Sequence, residues 1–190
     1  MNACTVATQR PLIQAALLAR PVAARVLVDP NRPILASLIA GRRCGVGILP
    51  AHLGLSSAEI ARLWAEYFPG EKSALPAHHL DETPERQDII DLLLEYRAGH
   101  YPSEIWLATI VATACAGSDH LWQDLGLGRR EELSHLLNHA FPRLARQNTD
   151  DMKWKKFIYR FYCARDGIYV CPAPSCRECT DYAHCFAPET

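Results

Sequence analysis

No segment of this chain sustains the alternation of apolar and polar side chains that a half-buried strand requires. Its apolar stretches are instead set off by helix punctuation. A first apolar segment, roughly Leu12–Ala19, stops at Pro21. Pro33 suits the first position of a second helix that ends near Gly41. Gly45, Gly47 and Pro50 mark a loop, and Ser56 followed by Glu59 has the spacing of a capping box at the head of a third helix. Thr83-Pro84 opens another, carrying Ile89, Ile90, Leu92, Leu93 and Leu94 and closed by Gly99. Ser103 is placed to cap the next, which runs to Gly117, and a short helix covers Glu131–Ala140. The expected fold class is therefore all-α: a compact helical domain over residues 1–166, followed by an irregular cysteine-rich segment, 167–190, packed on the last helix as part of one domain.

Charge narrows the function classes. Lys+Arg number 20 against Asp+Glu 21, a formal net charge of −1, so the chain has no global field for nucleic acid or anionic lipid, and neither is an expected partner. The N-terminal apolar stretch is broken by Arg20, Pro21 and Arg25 and does not read as a secretory signal. The longest charge-free apolar run, Ile105–Gly117, is too short to span a bilayer and reads as a buried helix. A cytoplasmic location is expected. In a reducing compartment clustered thiols bind metal or do redox work more often than they form disulfides, and of the 8 cysteines five lie close together, from Cys163 to Cys185.

The helix leading into those cysteines has two distinct faces. Trp154, Phe157, Ile158, Phe161 and Tyr162 form an apolar stripe at helical spacing. Lys153, Lys156, Arg160 and Cys163 form another. Lys153, Lys155 and Lys156 are three of the only four lysines in the chain, so a concentrated cationic face is expected on this helix. Beyond Gly167 the prolines at 172, 174 and 188 exclude regular structure.

The tail itself reads C-x4-C-x2-C-x5-C, with Cys171, Cys176, Cys179 and Cys185. Four thiolates so close in sequence can converge on one centre, and metal binding would order a segment that has no core of its own. The first three spacings match the C-x4-C-x2-C run of plant-type ferredoxins, whose fourth ligand lies far away rather than at once downstream. Zinc competes, because four thiolates also make a closed tetrahedral site and His184 adds a nitrogen. Cys163 is a candidate fifth ligand, near cations that lower a thiol pKa; its other reading is a buried apolar residue. No phosphate loop, dinucleotide fingerprint or nucleophile elbow is present, so an enzyme is not expected.

Met152-Lys-Trp-Lys-Lys-Phe-Ile-Tyr-Arg-Phe-Tyr-Cys163, the four-cysteine signature through Cys185-Phe186-Ala-Pro188-Glu189, and His120-Leu-Trp122-Gln-Asp124-Leu-Gly-Leu127 together resemble the NifQ family of nitrogen-fixation proteins. The likeness is strong over Cys115–Glu189; upstream it is limited to length and helical character. Phe186-Ala187 departs from an expected Phe-Gly and touches no ligand. The resemblance implies an iron–sulfur cluster and molybdenum, carried as a mixed molybdenum–iron–sulfur species for the iron–molybdenum cofactor. It implies delivery to the nitrogenase cofactor-assembly scaffold, with the nitrogenase iron protein involved. It makes Cys171, Cys176, Cys179 and Cys185 the metal ligands.

On that basis Lys153, Lys156 and Arg160 would attract molybdate, a dianion, toward the cysteines, each exposed contact contributing under ~1 kcal/mol. Their other reading is a solvated helix face. His120 is a further candidate ligand, but a histidine before Leu-Trp is more often packed at a helix start, and Ser118 or Asp119 can cap there. His78-His79 lies in a polar loop, and His135 with His139, at i and i+4, lacks a third ligand at recognisable spacing. Two other function classes stay open: a helical interaction module stabilised by zinc, and a small iron–sulfur electron-transfer protein.

Overall fold

A computed structural model describes residues 3–72, 75–81 and 83–166 of the chain. Its helices are α1 (Ala3–Leu18), α2 (Ala24–Leu27), α3 (Arg32–Arg43), α4 (Ser57–Tyr67), α5 (Arg86–Glu95), α6 (Ser103–Ala114), α7 (Leu121–Asp124), α8 (Arg130–Ala140), α9 (Pro142–Ala145) and α10 (Trp154–Asp166). No strand occurs among the described residues, in line with the all-α expectation. No helix among them is long and apolar enough to cross a membrane.

Two helices, α3 and α6, form the middle of the core. Both are buried almost all the way round: α6 is apolar on nearly every side, whereas α3 buries Arg32 and Arg42 by directing their guanidinium groups to backbone carbonyls. Helix α1 packs along α3, and α5 lies against α6. Polar clamps tie the layers. Arg10 of α1 donates to Ser37 Oγ of α3 at 2.9 Å, and Ser37 donates to Glu132 of α8 at 2.6 Å. At the opposite end Asp29 is 2% exposed and gathers three donors: Tyr67 Oη at 2.5 Å, Ser103 Oγ at 2.7 Å and the Asn31 amide at 2.8 Å. Arg32, also buried, directs its guanidinium to the carbonyls of Tyr67 and Arg20 and lies over the Phe68 ring.

Several boundaries differ from expectation, each for a local reason. Helix α1 begins at Ala3 and carries Pro11 inside it rather than starting near Leu12. Ser103 is the first residue of α6 and not its cap, because its hydroxyl is committed to Asp29. The amides ahead of α6 are taken by Glu104 instead, whose buried carboxylate accepts from Gly99, His100 and Tyr101 at 2.5, 2.9 and 2.9 Å. Thr83–Glu85 form a turn, and α5 starts at Arg86. The Ser56/Glu59 capping box is present as expected.

The loop after α3 meets the turn after α7 backbone to backbone. Ile48 donates to the Asp124 carbonyl at 2.9 Å, and a Cβ on Gly41 would overlap the Gly126 carbonyl oxygen. Because that obstacle is backbone, Gly41→Ala should cost roughly 2 kcal/mol or more through overpacking. The check is a lowered urea midpoint with unchanged slope.

Candidate functional site

Helix α10 starts where Asn148 closes a loop on Met152, accepting its N–H at 2.9 Å and donating to its carbonyl at 3.0 Å. The expected stripe is buried as read: Trp154, Phe157, Ile158 and Tyr162 join the core, and Phe161 packs beside it with its ring edge-on to Tyr96. Tyr162 Oη donates to Asp88 at 2.8 Å and Trp154 Nε1 donates to Ser134 at 3.0 Å. Tyr159 is fully buried as well, so the buried face is wider than the stripe.

Lys155 corrects the reading of three clustered lysines as one cationic face. It is 6% exposed, and its ammonium is enclosed by the Gly117 carbonyl at 3.0 Å, the Asp119 carbonyl at 2.7 Å and the carboxylate of Asp124. The signal for this was present: Ile158, Tyr159 and Tyr162 follow Lys155 at three, four and seven positions, the spacing of a buried face. Lys153 and Lys156 are half-buried, and Arg160 is exposed, with Nη1 3.7 Å from Met152 Sδ. The candidate anion approach is thus formed by Lys153, Lys156 and Arg160, with Lys155 withdrawn into the fold.

Asp124 completes the latch. Burial raises its carboxyl pKa and the adjacent Lys155 opposes that rise. One carboxylate oxygen is engaged by Lys155, while the other, Oδ1, is buried without a hydrogen-bond partner. Gly117 is needed opposite it, since a Cβ there would collide with the carboxylate. His120 is half-buried as the N-cap residue of α7, its amide donating to Gln123 Oε1 at 3.3 Å; this is the helix-start placement, rather than Ser118 or Asp119 as cap.

Cys163 is 7% exposed, within the hydrophobic cluster, and not in a disulfide. Cys115 is fully buried against Tyr159, whose hydroxyl reaches its carbonyl at 3.5 Å. Burial pushes the Cys115 thiol pKa up to about 12, with Lys155 opposing. A thiol whose folded pKa lies above its unfolded value of about 8.5 stabilises the fold below that value and loses this contribution as pH rises toward 12. The unfolding free energy should therefore fall between pH 9 and 12 by up to ~1.4 kcal/mol per unit from this group. Cys115→Ala should flatten that slope in urea titrations across the range.

Among the described residues no three His, Cys, Asp or Glu side chains are grouped so as to hold a metal ion. His135 and His139 stack at 4.0 Å on an exposed face with no third partner of that kind. Cys171, Cys176, Cys179 and Cys185 lie outside the described residues. Four cysteines within 15 positions are a donor set suited to soft metals.

Fold and site together define a class: an all-helical domain that anchors, through a buried ion pair, the helix preceding a four-cysteine segment. The NifQ family model matches residues 34–187. Protein NifQ of Azotobacter vinelandii is 43% identical over 174 residues, covering 84% of this chain and 89% of that protein. Protein NifQ of Rhodobacter capsulatus is 41% identical over 158 residues, covering 82% and 87%. Protein NifQ of Klebsiella pneumoniae is 44% identical over 81 residues, covering 42% and 48%. No solved structure gives a significant match. The chain belongs to the NifQ family, whose members take part in nitrogen fixation. The family match also begins far upstream of Cys115, so the first half of the chain shares in a likeness that its motifs alone did not carry.

Proposed function

We propose that this chain is a molybdenum carrier for assembly of the nitrogenase iron–molybdenum cofactor, and not an enzyme. It holds an iron–sulfur or mixed molybdenum–iron–sulfur cluster through Cys171, Cys176, Cys179 and Cys185. The observation that carries this reading is a NifQ match spanning residues 34–187, which takes in all four cysteines. When bound, such a cluster supplies soft sulfide ligands for molybdenum. The chain's own residues do the rest. The Lys155–Asp124 latch and the buried face of α10 set the point from which the cysteine segment departs. Lys153, Lys156 and Arg160 on that helix favour approach of an anion, each weakly. The partners are the cofactor-assembly scaffold and the nitrogenase iron protein, in the cytoplasm.

The test is iron, acid-labile sulfide, molybdenum and zinc per chain in protein purified without oxygen from molybdate-fed cells. Iron and sulfide accompanied by molybdenum are expected. Zinc without sulfide, from cells with adequate iron and cluster-assembly capacity, would replace this reading with a zinc-stabilised interaction module. Iron and sulfide with no molybdenum would favour electron transfer.

A further inference from the structure

A cleft of about 290 Å³ lies between the turn at 50–54, the segment 78–81, the start of α5 and the end of α6. Three of the chain's 8 histidines line it, His52, His78 and His79, with Arg86, Asp81 and Thr113. His78 and His79 are neighbours in sequence, but His52 arrives from 26 positions upstream, which no spacing pattern announces.

The inner wall is built with some strain. Leu53 and Gly54 are both left-handed, at φ 58 and 82, and the leucine side chain is completely buried. A left-handed leucine is strained, and the packing around its buried side chain must offset that strain. Gly54 lies so close to Thr113 that a Cβ would strike the threonine side chain. Arg86 locks the two together, donating to the Gly54 carbonyl at 2.8 Å and to Thr113 Oγ1 at 3.2 Å. Its guanidinium is thereby held as a positive charge in the cleft wall. The outer wall is tied to the core where Arg42 donates to the Pro76 carbonyl at 3.3 Å, and His79 Nε2 stands 3.3 Å from Asp81 Oδ1.

This lining does not group donors for a metal ion. It offers hydrogen-bond donors around a cation: each imidazole presents at least one N–H in either tautomer, and the guanidinium is charged at all working pH values. We propose that the cleft binds a tetrahedral oxyanion between the imidazoles of His52, His78 and His79 and the Arg86 guanidinium. On the molybdenum-carrier reading, on which this part rests, that oxyanion is molybdate; phosphate and sulfate share the chemistry. The Thr113–Ala116 wall runs directly into the Gly117–Asp119 loop that grips Lys155, so an anion held here is one loop from the helix that leads to the cysteines.

Binding of molybdate, phosphate and sulfate is to be measured by calorimetry on the full chain with Cys171, Cys176, Cys179 and Cys185 all changed to Ser, which removes thiolate binding. Molybdate binding is expected, weakened roughly tenfold or more by His52→Ala, His78→Ala and His79→Ala combined, since hydrogen bonds to a charged group are being deleted. All three side chains are exposed, so melting temperature should not move. Asp81→Asn should tighten binding several-fold by removing a carboxylate from the lining. Binding of phosphate or sulfate as tight as that of molybdate supports the site and assigns it to general oxyanions. No binding of any of the three anions, or binding indifferent to both the histidine and the Asp81 variants, overturns the inference. The carrier reading is decided separately, by metal content of the unaltered chain.

Discussion

Replacing Lys155 by methionine should lower the unfolding free energy by roughly 3–5 kcal/mol, the cost of leaving a buried carboxylate without its partner. In a chain of 190 residues that corresponds to a melting temperature lower by on the order of 10 °C. The size of the effect follows from the enclosure. Asp124 is 1% exposed, its Oδ1 already lacks a donor, and Gly117 presses against it, so the carboxylate cannot turn to water when the ammonium is removed. Two carbonyls, those of Gly117 and Asp119, lose their donor as well. Asp124→Asn alone should be milder, because the amide keeps the shape, and the double variant should recover part of the loss. A double-mutant cycle on urea unfolding would then show a coupling of 1 kcal/mol or more, on the order expected for residues in direct contact. Additive effects would mean that the pair does not act as a latch.

Replacing Cys176 or Cys179 by alanine should remove most of the iron and sulfide while leaving the helical domain folded. Among the described residues the core runs from Leu17 to Cys163 and is built by the helices themselves, so circular dichroism and the cooperative melt should be nearly unchanged. The two effects separate a ligand from a structural cysteine. Cys44→Ala and Cys115→Ala, in contrast, delete core volume and should lower stability by about 1–2 kcal/mol with metal content intact. Full retained iron in the Cys176→Ala or Cys179→Ala protein would remove that residue from the ligand set.

What sequence could and could not disclose divides along interaction range. The Ser56/Glu59 box and the apolar stripe of α10 are written in neighbours three and four apart, and both stand in the structure. Ser103 looks like a cap for the same local reason, yet Asp29, 74 positions away, takes its hydroxyl. Lys155 sits between two other basic residues, and its charge suggests a surface; its partner lies 31 positions upstream. His52 joins His78 and His79 only because Gly54 meets Thr113 and Arg86 bridges them. The expectations for Cys171, Cys176, Cys179 and Cys185 fall outside the described residues and rest on spacing and on family membership.

The Asp29 hub bears on the order in which the chain assembles. Its carboxylate unites Tyr67 and Ser103, 38 and 74 positions along the chain, so its bonds form only after two long loops have closed. Loop-closure entropy makes such contacts late arrivals, whereas helices such as α4 can nucleate from neighbouring residues alone. Asp29→Asn or Ser103→Ala should therefore leave the folding rate almost untouched and accelerate unfolding, the signature of interactions absent from the transition state. The resistance of this fold to slow opening would then reside in one buried carboxylate that joins three distant stretches of chain, rather than in any single helix.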